Sequence, residues 1–142
     1  MQPYYEYRHI VSFVETNLVG NVYFTNHLKW QGLCREMFLR DRAPEVIKEL
    51  QQDLALVTVR VSCEYLAELN VFDEVVIRMV QTALSQNRVT MRFEYWRQNG
   101  EQEELIAWGE QQVACMRRNG ETVMPAPFPK ALQVALDYMA QG

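Results

Sequence analysis

The stretch Glu15-Thr-Asn-Leu-Val-Gly-Asn-Val-Tyr-Phe-Thr-Asn-His-Leu-Lys-Trp-Gln-Gly-Leu-Cys-Arg35 decides how this chain is read. It leaves an apolar, strand-like run and crosses a polar turn at Gly20. It then enters a segment with Trp30, Leu33, Cys34, Met37 and Phe38 at i, i+3, i+4, i+7 and i+8. That spacing forms one apolar helix face. Asn17, Asn21, Asn26, His27 and Arg35 gather around the start of the same segment. A helix that served only as core has no use for so many polar side chains there, so this stretch is the expected functional centre.

Upstream, Tyr4 to Val14 alternates, with Tyr5, Tyr7, His9, Val11 and Phe13 on one side. Period two with aromatic and β-branched residues predicts a strand. The helix is expected from about Asn26 to Arg40, with Thr25 or Asn26 as a side-chain cap. It ends ahead of Pro44, because the residue before proline avoids the α region. Pro44 to Gln52 fits a short second helix.

Downstream the pattern changes to four β-rich runs: Leu54 to Glu68, Glu74 to Leu84, Arg88 to Gln98 and Leu105 to Arg117. Asn99-Gly100 and Asn119-Gly120 are hairpin signals. The second leads into a short edge from Glu121 to Met124. The Pro125, Pro127 and Pro129 series is expected to be extended and outside the sheet, and Lys130 to Met139 reads as an amphipathic helix. One early helix set apart from a run of antiparallel strands gives an α+β fold, with the sheet wrapped on that helix. The expectation is one domain over residues 1–142, large enough to bury about two-thirds of its unfolded surface.

The formal charge of −4 gives no support to nucleic-acid binding, whose footprint is a basic face. An acidic partner has to meet a local basic patch. Cys34, Cys63 and Cys115 are odd in number, widely spaced and set in apolar surroundings. They read as core residues in a reducing compartment, with no metal site expected. No apolar leader core opens the chain and no run approaches the length of a membrane span. The expected location is therefore the cytoplasm, with no membrane partner.

Familiar catalytic templates fail. There is no Gly-x-Ser-x-Gly elbow and no phosphate-binding glycine loop. His9 and His27 stand in no triad spacing, and Glu101, Glu103 and Glu104 read as a solvated hairpin tip.

What remains is the central stretch. Glu15-Thr-Asn-Leu-Val-Gly-Asn-Val-Tyr23, then Asn26-His-Leu28, then Trp30 and Arg35, resembles the signature of hotdog-fold thioesterases of the 4-hydroxybenzoyl-CoA class. That signature runs roughly Asp-Thr-Asp-x-x-Gly-x-Val-Tyr, then Asn-Tyr-hydrophobic, then Glu-x-x-Arg. The family's last Asp, its base or nucleophile, falls on Asn17; its Tyr falls on His27, and its Glu on Gly32. With these departures the chain resembles the thioesterases of enediyne antibiotic biosynthesis, of the calicheamicin and dynemicin type, more closely.

The resemblance implies a hotdog fold, an antiparallel β-sheet wrapped around a long central α-helix. It implies hydrolysis of a polyene β-ketoacyl thioester carried on the acyl-carrier domain of an iterative polyketide synthase, without a cofactor or metal. It also implies a homo-oligomer, a dimer of dimers, in which the partner's strands complete the site. Asn17 and Arg35 take the catalytic roles, helped by free amides at the helix start. Tyr23, Asn26, His27 and Thr58 contact substrate.

Each residue has a plainer reading. Asn17 stabilises a turn, Arg35 forms an ion pair, and His27 packs at the helix start. Tyr23 is a wall or core aromatic, and Thr58 is a strand residue. Glu15 and Glu36 are the carboxylates near enough in sequence to replace the missing acid. Val11, Phe13, Met37, Phe38, Leu66 and Met91 are candidate channel walls that also suit a core. A general acyl-CoA thioesterase and a non-catalytic acyl-binding hotdog protein are the competing functions.

Overall fold

The structure, a computed structural model, describes residues 3–141. Strand β1 (Tyr5–Ile10) is followed by a 3-10 turn (Phe13–Glu15), the long helix α1 (Thr25–Arg42) and a short α2 (Pro44–Leu50). Then come β2 (Leu54–Tyr65), β3 (Glu74–Leu84), β4 (Arg88–Asn99), β5 (Gln102–Asn119), β6 (Thr122–Pro125) and α3 (Lys130–Tyr138). The strands form one antiparallel sheet in the order β1-β3-β4-β5-β2, with β6 added to the end of β5. The sheet curls around α1, and the fold is the hotdog.

Period two explains the packing. In β4, Val89, Met91, Phe93 and Tyr95 are buried on the helix side, while Arg92, Glu94 and Trp96 face outward. On α1, Trp30, Cys34 and Phe38 are fully buried against them, with Leu33 and Met37 packed at the margin. The outer face is polar and aromatic, with Arg92 lying 4.3 Å from the ring centre of Trp108. Helix and sheet approach closely at Gly109. A Cβ there would stand 2.2 Å from the Ser62 carbonyl oxygen and 2.5 Å from Gln31 Nε2.

Several boundaries depart from expectation. β1 stops at Ile10, because Ser12 to Glu15 turns on itself to serve the Glu15 carboxylate; Phe13 and Val14 are therefore exposed. β2 ends at Tyr65, and Leu66 lies outside it, exposed. Neither Thr25 nor Asn26 caps α1; the N-cap position is Phe24, with no side-chain cap bond. The Asn26 side chain donates instead to the Glu15 carbonyl at 2.9 Å. Pro125 pairs with Met116 as the last residue of β6, a place open to proline because the edge asks nothing of its nitrogen. Glu103 and Glu104 lie within β5, where they pair with Arg78 and Arg97.

Candidate active site

The polar loop between the 3-10 turn and α1 is built around one acid. Glu15 is 7% exposed. Its carboxylate accepts the Ser12 N–H at 2.8 Å, the Ser12 hydroxyl at 3.1 Å and the Trp30 indole N–H at 2.8 Å. His9 Nε2 lies 2.9 Å from both oxygens. Burial by itself raises the pKa, but the bonds from Ser12, His9 and Trp30 outweigh it and hold the group at about 2. A carboxylate this saturated is a poor proton acceptor near neutral pH. Glu15 is an anchor, not the missing base; its carbonyl also accepts the Tyr23 N–H at 2.9 Å.

The anchored loop carries Asn17, which is exposed. Its Oδ1 accepts the Val19 N–H at 3.0 Å, and its backbone closes the turn with Gly20 and Asn21. Within a single chain the turn-forming reading of Asn17 is realised. Tyr23 is exposed beside Phe24, with ring centres 4.7 Å apart.

His27, at 3% exposed, is buried among Trp30, Tyr65 and Tyr95, and neither ring nitrogen has a hydrogen-bond partner. Burial pushes its pKa down to about 4; the Phe24 carbonyl opposes the shift without a well-formed bond. His27 is therefore neutral at physiological pH. It lines a pocket of about 180 Å³ with Asn21, Val22, Phe24, Tyr65, Ala67, Glu68 and Leu69.

Arg35 occupies a second location. One of its nitrogens donates to Thr58 Oγ1 and to Gln111 Oε1, both at 3.1 Å. Among the described residues no carboxylate comes within ion-pair distance of it. Burial lowers its pKa, with Glu36 opposing, but a guanidinium stays charged. It stands at the head of an apolar crevice between α1, the sheet and α3, lined by Phe38, Leu56, Met91, Phe128 and Leu136 among others. The crevice holds only about 20 Å³ of free space, room for little more than a water. Of the expected channel walls, Phe38 and Met91 line it; Val11 is core, and Phe13 and Leu66 are exposed.

The chain thus brings Arg35 and Thr58 together, and gathers Asn17, Tyr23, Asn26 and His27 around Glu15 and the start of α1. The two groups share no hydrogen-bond partner. At about 1.5 Å per residue, Arg35 lies about 15 Å along α1 from its first turn. Sequence reading missed Gln111 and Gln31; it named Asn21 in the central stretch but gave it no role. The signal for Gln111 was a polar residue at an inward position between apolar neighbours of β5. The signal for Gln31 was its place midway between His27 and Arg35, a polar file at four-residue spacing. Among the described residues no group of three or more His, Cys, Asp or Glu is placed to hold a metal ion, and no helix is long and apolar enough to cross a membrane.

Comparison with known proteins bears on this arrangement. The family described as the thioesterase-like superfamily matches residues 11–136. Among solved structures, the dynemicin thioesterase, reported with polyene binding, is 47% identical with a TM-score of 0.94, covering 98% of this chain and 99% of its own. The 1,4-dihydroxy-2-naphthoyl-CoA thioesterase of Synechocystis superposes with a TM-score of 0.81 at 23% identity, covering 94% and 96%. A 4-hydroxybenzoyl-CoA thioesterase variant holding its substrate does so at 0.83 and 12% identity, covering 95% and 99%. At those identities the last two speak for the fold alone. No curated protein matches the chain in sequence.

Proposed function

This chain belongs to the thioesterase-like superfamily and is a thioester hydrolase, and we propose that its substrate is a polyene β-ketoacyl thioester on the acyl-carrier domain of an iterative enediyne polyketide synthase. The observation that carries this reading is Arg35. A half-buried cation held by two neutral partners, Thr58 and Gln111, at the head of a closely packed apolar crevice is a receptor for negative charge. Thioester hydrolysis develops that charge on the carbonyl oxygen, and a β-keto group adds a second oxygen beside it. The similarity to a polyene-binding thioesterase points the same way.

The site in this reading is shared between two copies. β2 is an edge strand whose Val57, Val59 and Val61 are exposed. A long apolar edge calls for a partner, and an isologous antiparallel pairing inverts the strand. The Tyr65 end of one copy then meets the Leu54 to Thr58 end of the other. Tyr65 donates its hydroxyl to the Phe24 carbonyl at 2.7 Å, so the Asn17 loop belongs to the Tyr65 end. Arg35, bonded to Thr58, belongs to the opposite end. Asn17 of one protomer and Arg35 of its partner converge on the thioester carbonyl.

Arg35 and amides at the start of α1 stabilise the oxyanion. Asn17 leaves its turn bond to orient water, and Tyr23, Asn26 and His27 line the approach. No carboxylate takes the proton: the β-keto group makes the thioester carbon electrophilic enough for water to add. The C–S bond breaks as the tetrahedral intermediate collapses, and the proton of the attacking water passes through solvent to the departing thiolate, leaving the β-keto acid and a thiol. Arg60 stands opposite Gln112, which Arg88 bonds at 3.2 Å. These two cations beside the edge strand suit an acidic carrier domain. A second pairing of dimers and a cytoplasmic location complete the proposal.

The test is thiol release from a β-ketoacyl carrier-protein thioester, with the matching acyl-CoA in parallel. Faster turnover on the carrier substrate is expected. Equal or faster turnover on the CoA ester would point to a general acyl-CoA thioesterase.

A further inference from the structure

The spacing of a helix against a strand decides what stands behind Arg35. On β5 the inward positions Gly109 and Gln111 are about 6.8 Å apart, and on α1 Gln31 and Arg35 are about 6 Å apart. A Cβ at Gly109 would lie 2.5 Å from Gln31 Nε2, so β5 reaches α1 there with no side chain between them. The next inward residue, Gln111, then meets Arg35, the next turn of the helix. Gln111 is 4% exposed, and its Oε1 accepts a bond from Arg35 Nη1 at 3.1 Å.

The same nitrogen donates to Thr58 Oγ1 at 3.1 Å, so both of its hydrogens are used. A guanidinium has five N–H donors, and the three on Nε and Nη2 have no partner among the described residues. Neither nitrogen is among the buried polar atoms without partners, so each keeps accessible surface. Gln111 and Thr58 therefore grip one edge of Arg35 and leave the rest for an incoming oxygen.

The surroundings also leave the charge of Arg35 unspent. The pairing of β2 with β5 shifts register between Thr58 and Arg60, with Val59 as the extra residue. Thr58 stands opposite buried Val113 and faces inward, whereas Arg60 stands opposite Gln112 and faces outward. In a regular strand Arg60, two residues after Thr58, would share its face and add a second cation beside Arg35. An anion is kept away as well. A carboxylate at position 111 would accept the same hydrogen bond, but it would also neutralise the guanidinium in a place largely closed to water. The residue there is the neutral amide of the same length.

We infer that Gln111 is a positioning residue for the hydrolysis: it fixes the Arg35 guanidinium and, being uncharged, leaves the positive charge to the oxyanion. This rests on the thioesterase reading above and deepens it. In this role Gln111 acts through Arg35 and not on the substrate. A merely structural partner needs only an acceptor oxygen; a positioning partner must also be neutral.

The experiment measures kcat and KM for thiol release from a β-ketoacyl carrier-protein thioester. The proteins are wild type, Gln111→Glu, Gln111→Met, Arg35→Met, and Arg35→Met combined with Gln111→Met, with circular dichroism as the check on folding. Gln111→Glu keeps the acceptor and is expected to lose about 100-fold in kcat, with KM within about threefold of wild type. Gln111→Met loosens the cation and is expected to lose about tenfold. In the Arg35→Met background the same change should move kcat by less than about twofold. That double variant replaces both partners with apolar groups and strands neither, so the comparison holds if Gln111→Glu does not fold. Wild-type kcat in either Gln111 variant, or a tenfold fall that persists without Arg35, would overturn the inference and leave Arg35 in its role. Full turnover by Arg35→Met would instead remove the reading of Arg35, and the inference with it.

Discussion

The Trp30 indole N–H donates to Glu15 Oε2 at 2.8 Å in a buried position, fifteen residues apart in sequence. That bond joins the loop carrying Asn17 to the helix carrying Arg35. Together with Ser12 and His9 it makes Glu15 the anchor of the whole central stretch. Glu15→Gln keeps the shape but replaces an oxygen with an NH2 that faces donors. It is expected to destabilise the fold by about 2–3 kcal/mol, read from urea unfolding at pH 7. An unchanged midpoint would show that the bonds contribute nothing net.

Acid should act in two stages. His27 has a lowered folded pKa, so the unfolded chain takes up its proton below about 6.5 and the folded protein only near 4. Stability is whole above pH 6.5 and drains as pH falls to 4, by up to about 3 kcal/mol. Glu15 is also depressed: its contribution is present above 4.5 and is lost as pH falls toward 2. Urea midpoints between pH 7 and 5 should fall in the wild type and stay nearly level in His27→Phe. Parallel slopes in both proteins would contradict the assignment.

Gly109→Ala inserts a methyl against the Ser62 carbonyl oxygen and Gln31 Nε2. The backbone neighbour cannot rotate away, so α1 or β2 must move. A loss of about 3 kcal/mol or more, or failure to fold, is expected by thermal unfolding.

Much of this architecture was legible because it rests on periodicity. β3 runs from Glu74 to Leu84 as its alternation suggested, and both Asn-Gly turns carry a glycine at positive φ, +64° at Gly100 and +66° at Gly120. The apolar face of α1 was equally plain. Glu15 was not legible, because its donors come from Ser12, His9 and Trp30, which only the folded chain assembles. The end of β1 was hidden for the same reason. Asn17 and Arg35 were picked out together, yet one chain keeps them apart. Sequence carries no mark of which residues meet across a subunit boundary.

Arg35→Met separates stability from activity. Removing the guanidinium strands the buried Gln111 Oε1, so thermal unfolding should show a modest loss of about 1–2 kcal/mol. Thiol release should fall by about 100-fold or more, since an oxyanion partner is lost. A matched fall in stability and activity would make Arg35 structural.

The most direct test of the shared site mixes two inactive proteins. Asn17→Ala and Arg35→Ala are co-expressed with different tags, and thiol release from the β-ketoacyl carrier thioester is measured on the mixture. If Asn17 of one protomer works with Arg35 of its partner, mixed dimers hold one intact site. Random pairing then restores about a quarter of wild-type activity, since half the dimers are mixed and each has one live site of two. No recovery from mixed dimers, against an active wild type, would contradict the account and return both residues to a single chain.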